Sequence, residues 1–318
     1  MRASIQHRRF VLDASKRIEL VVLVVSLGGV LGMAWLWRQN APTWVYYGYI
    51  GASAAAGAVL YVSQRSLDQP LRRRLLQLLL AGSLFAAAAF RDSRAALFQI
   101  EGLFFDILDG VLFAAVIHYL IAKIAGPFLF GRVWCGWACW TGAVLDQLPY
   151  KRSPGRLAGT WGRVRYAHFL ASFALVAALW YGLGYRPGMN HLPALTWFLA
   201  GNVVYLALGI GLALVLKDNR AFCKYVCPIS VLLKLGTPFA LLKVRGDPAR
   251  CCRRRVCENV CPMDVRIAEY LEHGQRIASS ECILCQACIH VCPEQALTLS
   301  LGVDANLTER LRRRDPAG

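Results

Sequence analysis

The sequence predicts a mainly α protein: a polytopic bundle of six membrane-crossing helices carrying a small α+β unit built around cysteine. Three observations predict it. The 318-residue chain is 57% hydrophobic, and it holds six apolar runs near the roughly 20 residues that a helix needs to cross a bilayer. All twelve of its cysteines lie from residue 135 onward. The runs cover residues 18–37, 44–63, 75–90, 107–130, 166–184 and 195–217. The third is short, and Arg72, Arg73 and Arg74 extend it if their side chains snorkel to the interface. The first is long for a signal peptide and no small-residue cleavage site follows it; Arg8-Arg9-Phe10 matches a twin-arginine signal only in part.

A formal net charge of +17 raises the question of nucleic acid, and the distribution of that charge argues against it. Basic residues gather at Arg2, Arg8, Arg9, Lys16 and Arg17, at Arg65 and Arg72 to Arg74, at Arg132, Lys151, Arg152, Arg156, Arg163 and Arg165, and at Lys217, Arg220 and Lys224. The alternate loops carry Arg38, Arg91, Arg94 and Arg186. This is the positive-inside pattern, and it puts both termini on the cytoplasmic side of a membrane, with membrane lipid as the surrounding partner. Four segments follow: a cytoplasmic N-terminus (1–17), a transmembrane part (18–243), a cysteine-rich cytoplasmic unit (244–300) and a tail (301–318).

On that topology every cysteine faces the cytoplasm, where thiols stay reduced and metal or redox chemistry is favoured over disulfides. The strongest signal is CILCQACIHVCP, with Cys282, Cys285, Cys288 and Cys292 spaced C-x2-C-x2-C-x3-C-P. Three thiolates at short intervals wrap one iron–sulfur cube and the fourth crosses to a second cube, so a partner motif is required. It lies upstream in CCRRRVCENVCP. Cys257 and Cys261 fit the last two ligand positions, but Arg254 stands where the second cysteine belongs and Cys252 is extra. We expect two [4Fe-4S] clusters, one on Cys261, Cys282, Cys285 and Cys288 and the other on Cys251, Cys252, Cys257 and Cys292. A three-iron cluster or an outside ligand remains the alternative at the irregular site. After Cys261 the pattern predicts a short helix ending near Gly274 and a return strand, with residues 294–301 as the closing strand.

Two further pairs, Cys135/Cys139 in GRVWCGWACW and Cys223/Cys227 in CKYVCP, each follow an apolar run. At i and i+4 they share a face if helical. Together they offer four thiolates to a third cluster or another metal, or act as redox dithiols.

With these motifs in order, residues 107–300 resemble the membrane polyferredoxins, the group of NapH-, MauN-, NosR- and CcoG-type proteins. The resemblance implies electron transfer in the inner membrane, between the quinone pool or a cytoplasmic donor and a respiratory reductase system. Members usually carry proline after each C-x3-C pair; Pro228 fits, whereas Trp140 takes the first position. No outer loop has room for the flavin domain of NosR-type proteins.

Ionisable groups within apolar runs are functional candidates. Glu101, Asp106 and Asp109 ring the outer end of the fourth run, and Asp106 and Asp109 share a helical face where they could take protons from a quinol. His118 stands mid-run; a bis-histidine haem would need a second histidine at its depth, and His168 lies elsewhere, leaving a quinone contact or helix packing. No phosphate-binding or dinucleotide motif occurs. Three roles compete: a quinone-linked electron conduit, a copper-handling or redox assembly factor for a metalloenzyme, and a redox-sensing membrane regulator.

Overall fold

A computed structural model describes residues 2–65, 67–90, 98–111, 114–187, 191–304 and 308–314, without the side chains of 2–16, 114, 115 and 191. Arg91 and Arg94 lie outside the described residues. Five helices are long and apolar enough to cross a membrane: Arg17–Arg38, Thr43–Ser63, Gln69–Phe90, Trp161–Leu183 and Leu192–Leu216. They belong to α1 (Arg2–Arg38), α2 (Thr43–Ser63), α3 (Gln69–Phe90), α9 (Val164–Leu183) and α10 (His191–Leu216).

The fourth apolar run differs from expectation. Helix α4 (Ile100–Leu108) ends at Asp109, and Gly110 turns the chain at a φ of 68°, a left-handed conformation that glycine adopts without steric cost. The run resumes as α5 (Ala114–His118), loosens into a π turn over Tyr119–Ala125 and closes as α6 (Gly126–Phe130). A run that reads as one helix by hydropathy is therefore interrupted at Gly110, because hydropathy carries no information about the turn there.

Helix α3 is the centre of the bundle: 61% of its span is buried, against 22% or less for the other four. Leu71, Leu75, Leu78 and Leu79 supply its apolar faces. Gln69, Arg73 and Gln77, four residues apart, form a buried polar stripe along it. Arg73 does not snorkel; it turns inward to Asp146 at 2.9 Å.

Beyond the long helices lie short ones: α7 (Val133–Trp137), α8 (Trp140–Leu145), α11 (Ala221–Tyr225) and α12 (Ile229–Gly236). A compact unit with α13 (Val256–Asn259), α14 (Ile267–Glu272) and α15 (Ala287–Val291) packs on them. Its antiparallel sheet pairs β1 (Leu242–Gly246) with β2 (Leu297–Leu301) in the register Leu242↔Leu301, Val244↔Leu299, Gly246↔Leu297. The closing strand is where the sequence puts it, but its partner is β1; the expected return strand is a loop that touches the sheet through Ile277 N–H to the Val244 carbonyl. Gly274 ends α14 at a φ of 63°. Part of the tail is fixed too: Arg266 N–H donates to the Arg310 carbonyl and Arg156 N–H to the Arg312 carbonyl.

Candidate metal centres

The two C-x3-C pairs share one backbone design. Helix α7 ends at Trp137, and the N–H of Cys139 donates to the Trp134 carbonyl at 2.9 Å. Helix α11 ends at Tyr225, and the N–H of Cys227 donates to the Phe222 carbonyl at 2.9 Å. In each motif the second cysteine lies just past a one-turn helix, so neither pair occupies one helical face as an i, i+4 reading expects. The residue after the second cysteine starts the next helix in both motifs, Trp140 as the first residue of α8 and Pro228 as the cap of α12. Cys139 caps α8, its Sγ accepting the Gly142 N–H at 3.4 Å.

Cys135, Cys139, Cys223 and Cys227 line one enclosed cavity together with Trp134, Trp140, Tyr205 and Phe222. Burial pushes the Cys139 thiol up to about 11 and raises those of Cys223 and Cys227. Cations surround the cavity. Arg220 Nη1 donates to the Cys135 carbonyl at 3.0 Å and lies 3.8 Å from Cys223 Sγ, while its Nε grips Asp146 at 2.8 Å. Burial alone would raise the Asp146 carboxyl, but Arg220 and Arg73 outweigh it and hold the group below the usual carboxylate range. Lys123, in the π turn and 3% exposed, lies 3.4 Å over the Trp134 ring, and both line the cavity. Four soft thiols with cations behind them suit a bound group that carries net negative charge.

A second cavity gathers Cys261, Cys282, Cys285 and Cys288 among Val244, Met263, Val265, Ile267, Ile277 and Leu284. Burial pushes the Cys261 thiol up to about 11 and that of Cys282 up to about 12, and raises that of Cys288 well above its ordinary value. Cys251, Cys257 and Cys292 are half-buried against the same core, and Cys252 is half-buried beside them. Among the described residues no group of three or more His, Cys, Asp or Glu side chains is close enough to hold a single metal ion. The thiol sets surround cavities instead, which fits a cluster of several irons better than one zinc.

The two cavities are joined through the loop that opens the CILC motif. The Ile283 carbonyl lies against Gly136, where a Cβ would collide with it. Trp137 Nε1 donates to the Leu284 carbonyl at 3.0 Å, and Gln69 Nε2 donates to the Cys285 carbonyl at 3.1 Å. Glu281, next to Cys282, receives Arg132 at 2.6 Å, Lys234 at 2.7 Å, Arg156 at 3.0 Å and Arg165 at 3.1 Å. Burial would raise the Glu281 carboxyl, yet these cations hold it well below the usual range. Lys224, fully buried, bridges Asp218 and Asp264 at 2.6 Å each. Arg132, Arg156, Arg165, Arg220 and Lys224, which read in sequence as topology charges, are therefore buried partners of carboxylates.

The chain matches the family model described as a 4Fe-4S binding domain, over residues 113–156 and 200–240. An uncharacterized protein of Methanocaldococcus jannaschii is 32% identical over 62% of this chain and 74% of the relative. The ferredoxin-type protein NapH of Haemophilus influenzae is 26% identical over 61% of this chain and 69% of its own length. The putative electron transport protein YccM of Escherichia coli is 23% identical over 59% and 56%. The chain belongs to the membrane polyferredoxin family. No solved structure matches it.

In this polyferredoxin His118 lines the four-thiol cavity without Glu101, Asp106 or Asp109. His118 packs edge-on to Trp134 at 5.0 Å between ring centroids and borders the four-thiol cavity. Asp106, buried, and Asp109, at the end of α4, line neither that cavity nor the lateral one beside it. Glu101 does line the lateral cavity: Oε1 accepts Ser172 Oγ at 2.7 Å and Tyr205 Oη at 3.0 Å. Oε2 is buried with no hydrogen-bond partner among the described residues. Sequence reasoning missed Lys123 and Tyr205; a lysine inside an apolar run was the available signal for the first, and nothing local marked the second.

Proposed function

We propose that this polyferredoxin carries electrons at the cytoplasmic face of a bacterial inner membrane, between quinol and a respiratory reductase system. The observation that carries the reading is the convergence of all four C-x3-C thiols on one cavity that abuts the CILC loop. Cys135, Cys139, Cys223 and Cys227 are proposed to hold one cluster, and Cys261, Cys282, Cys285 and Cys288 a second. Cys251, Cys257 and Cys292 would serve a third site. When bound, such clusters supply one-electron carriers, with potentials set by burial, charge and hydrogen bonding. The chain's own part is to hold these sites close. Gly136 lets the loops touch, the Glu281 and Lys224 ion pairs lock the cysteine-rich unit to the bundle, and Arg220, Arg132 and Lys123 offset thiolate charge.

The lateral cavity, of about 360 Å³, is proposed as the quinol site; its size falls in the range of ligand pockets. It is lined by Glu101, His168, Ser172, Trp197 and Tyr205, and both Tyr205 and Gln99 also line the four-thiol cavity, so these two residues stand between the cavities. Oxidising a quinol releases two electrons and two protons. Glu101 Oε2 is placed to accept a proton, and His168, whose Nδ1 donates to the Val226 carbonyl at 2.8 Å, keeps Nε2 as a second acceptor. This reading moves the proton role from Asp106 and Asp109 to Glu101.

The test is anaerobic protein in liposomes with a short-chain quinol, following iron–sulfur absorbance. Glu101→Gln keeps both hydroxyl contacts at Oε1 and is expected to slow quinol reduction by about a hundredfold, leaving reduction by dithionite unchanged. Equal quinol rates in wild type and variant would refute the site, and no reduction by any quinol would refute the donor.

A further inference from the structure

The two cysteine loops of the ferredoxin-like unit trace the same path, and this exposes what the irregular one lacks. In the regular loop, Leu284 and Gln286 take left-handed φ values of 51° and 63°, α15 starts at Ala287, and Gln295 turns at 47°. The Ala296 N–H then donates to Cys292 Sγ at 3.3 Å. In the irregular loop, Arg253 and Arg255 take φ values of 56° and 52°, α13 starts at Val256, and Asp264 turns at 59°. The Val265 N–H donates to Cys261 Sγ at 3.4 Å. All of these features recur at an offset of 31 residues, which is the difference 282 − 251. Left-handed backbone is costly for an arginine, and two such residues flanking Arg254 persist only where the loop's shape demands them.

The offset fixes the equivalences. Cys251 matches Cys282, Cys257 matches Cys288 and Cys261 matches Cys292, while Arg254 matches Cys285. Cys252 falls opposite Ile283, a position between ligands rather than one of them. Arg254 is exposed, as are Arg253 and Arg255. Guanidinium groups do not ligate iron, so the loop is shaped for a complete cubane and supplies one thiolate too few.

We infer that Cys251, Cys257 and Cys292 form a three-thiolate site whose fourth iron faces the solvent at Arg254 and takes an exogenous anionic or solvent ligand, making that iron labile. This rests on the iron–sulfur reading above. The four-thiolate set of Cys261, Cys282, Cys285 and Cys288 is the internal control, since every one of its iron positions has a cysteine.

The test is a ferricyanide titration of the full-length protein, purified anaerobically in detergent, followed by electron paramagnetic resonance. Loss of the labile iron is balanced: a [4Fe-4S]2+ cube gives up one Fe2+ and passes one electron to ferricyanide, leaving [3Fe-4S]+. Wild type is expected to show one three-iron signal per chain, reversed by Fe2+ with dithionite. Arg254→Cys should lower the signal at least tenfold, Arg254→Ala should keep it, and Cys252→Ala should leave it unchanged. A wild type that stays free of the three-iron signal while retaining its iron would overturn the inference and leave the electron-transfer reading standing. So would a Cys252→Ala variant that gains the signal or loses a cluster, because Cys252 would then be the fourth ligand. Protein without iron or sulfide would remove the underlying reading itself.

Discussion

Replacing Glu281 with glutamine tests how the cysteine-rich unit is held to the bundle. The carboxylate is 1% exposed and is the shared counter-charge of Arg132, Arg156, Arg165 and Lys234. Arg132 is wholly buried and donates to Glu281 through Nη1, and among the described residues its Nε and Nη2 have no hydrogen-bond partner. Glu281→Gln keeps the shape and removes the charge, stranding guanidinium groups in an apolar setting. Breaking one buried pair in this way costs about 3–5 kcal/mol. At a few degrees per kcal/mol, that is a melting temperature lower by roughly 10 °C. Lys234→Met is the control: its side chain is 21% exposed, so it is expected to lose no more than about 1 kcal/mol. The assay is thermal unfolding of the iron-loaded protein in detergent. A Glu281→Gln melting temperature within about 2 °C of wild type would refute the reasoning, because the four cations would then not depend on that carboxylate.

Gly136→Ala drives a Cβ into the Ile283 carbonyl and is expected to cost about 1–3 kcal/mol, read as a lower melting temperature. It should also slow electron exchange between the centres, read by flash-induced reduction; Gly211→Ala, with open space around it, should do neither. Asp146 has its folded carboxyl held below the ordinary value of 3.8 by Arg220 and Arg73 against the effect of burial. Its contribution to stability is therefore fully present above that value and is lost as pH falls through the lower folded one. Wild type should keep a flat melting temperature from about pH 7 to pH 5 and lose stability below the carboxylate range, and Asp146→Asn should lose less on acidification. A variant whose acid loss equals that of wild type would count against the ion pair.

Much of this was legible in the sequence, for identifiable reasons. Long apolar runs report membrane helices because the bilayer forces every backbone group to pair within a helix, and five of the expected runs are single long helices. The spacing of Cys282, Cys285 and Cys288 with Cys261 is a local constraint of cluster geometry, and these four do gather around one cavity. The fourth run misled because Gly110 and the π turn at 119–125 are decided by tertiary packing rather than by hydropathy. The basic residues were legible only in part. Arg132, Arg165 and Arg220 count toward the positive-inside pattern, yet what fixes them is Glu281 and Asp146, distant in sequence and visible only once the chain is folded. The stripe of Gln69, Arg73 and Gln77 was readable, since three polar residues four apart in an apolar helix must face something polar. What they face, the Cys285 and Cys139 carbonyls and Asp146, was not.

The central claim is that the four C-x3-C thiols hold a cluster of their own. It is tested most directly by iron and acid-labile sulfide per chain in anaerobically purified wild type, compared with a Cys135→Ser/Cys223→Ser variant of equal melting behaviour. The account predicts that the variant loses about four irons and about four sulfides while the ferredoxin-like centres remain. Equal iron and sulfide in the two proteins would contradict it and return these thiols to dithiol chemistry or to packing.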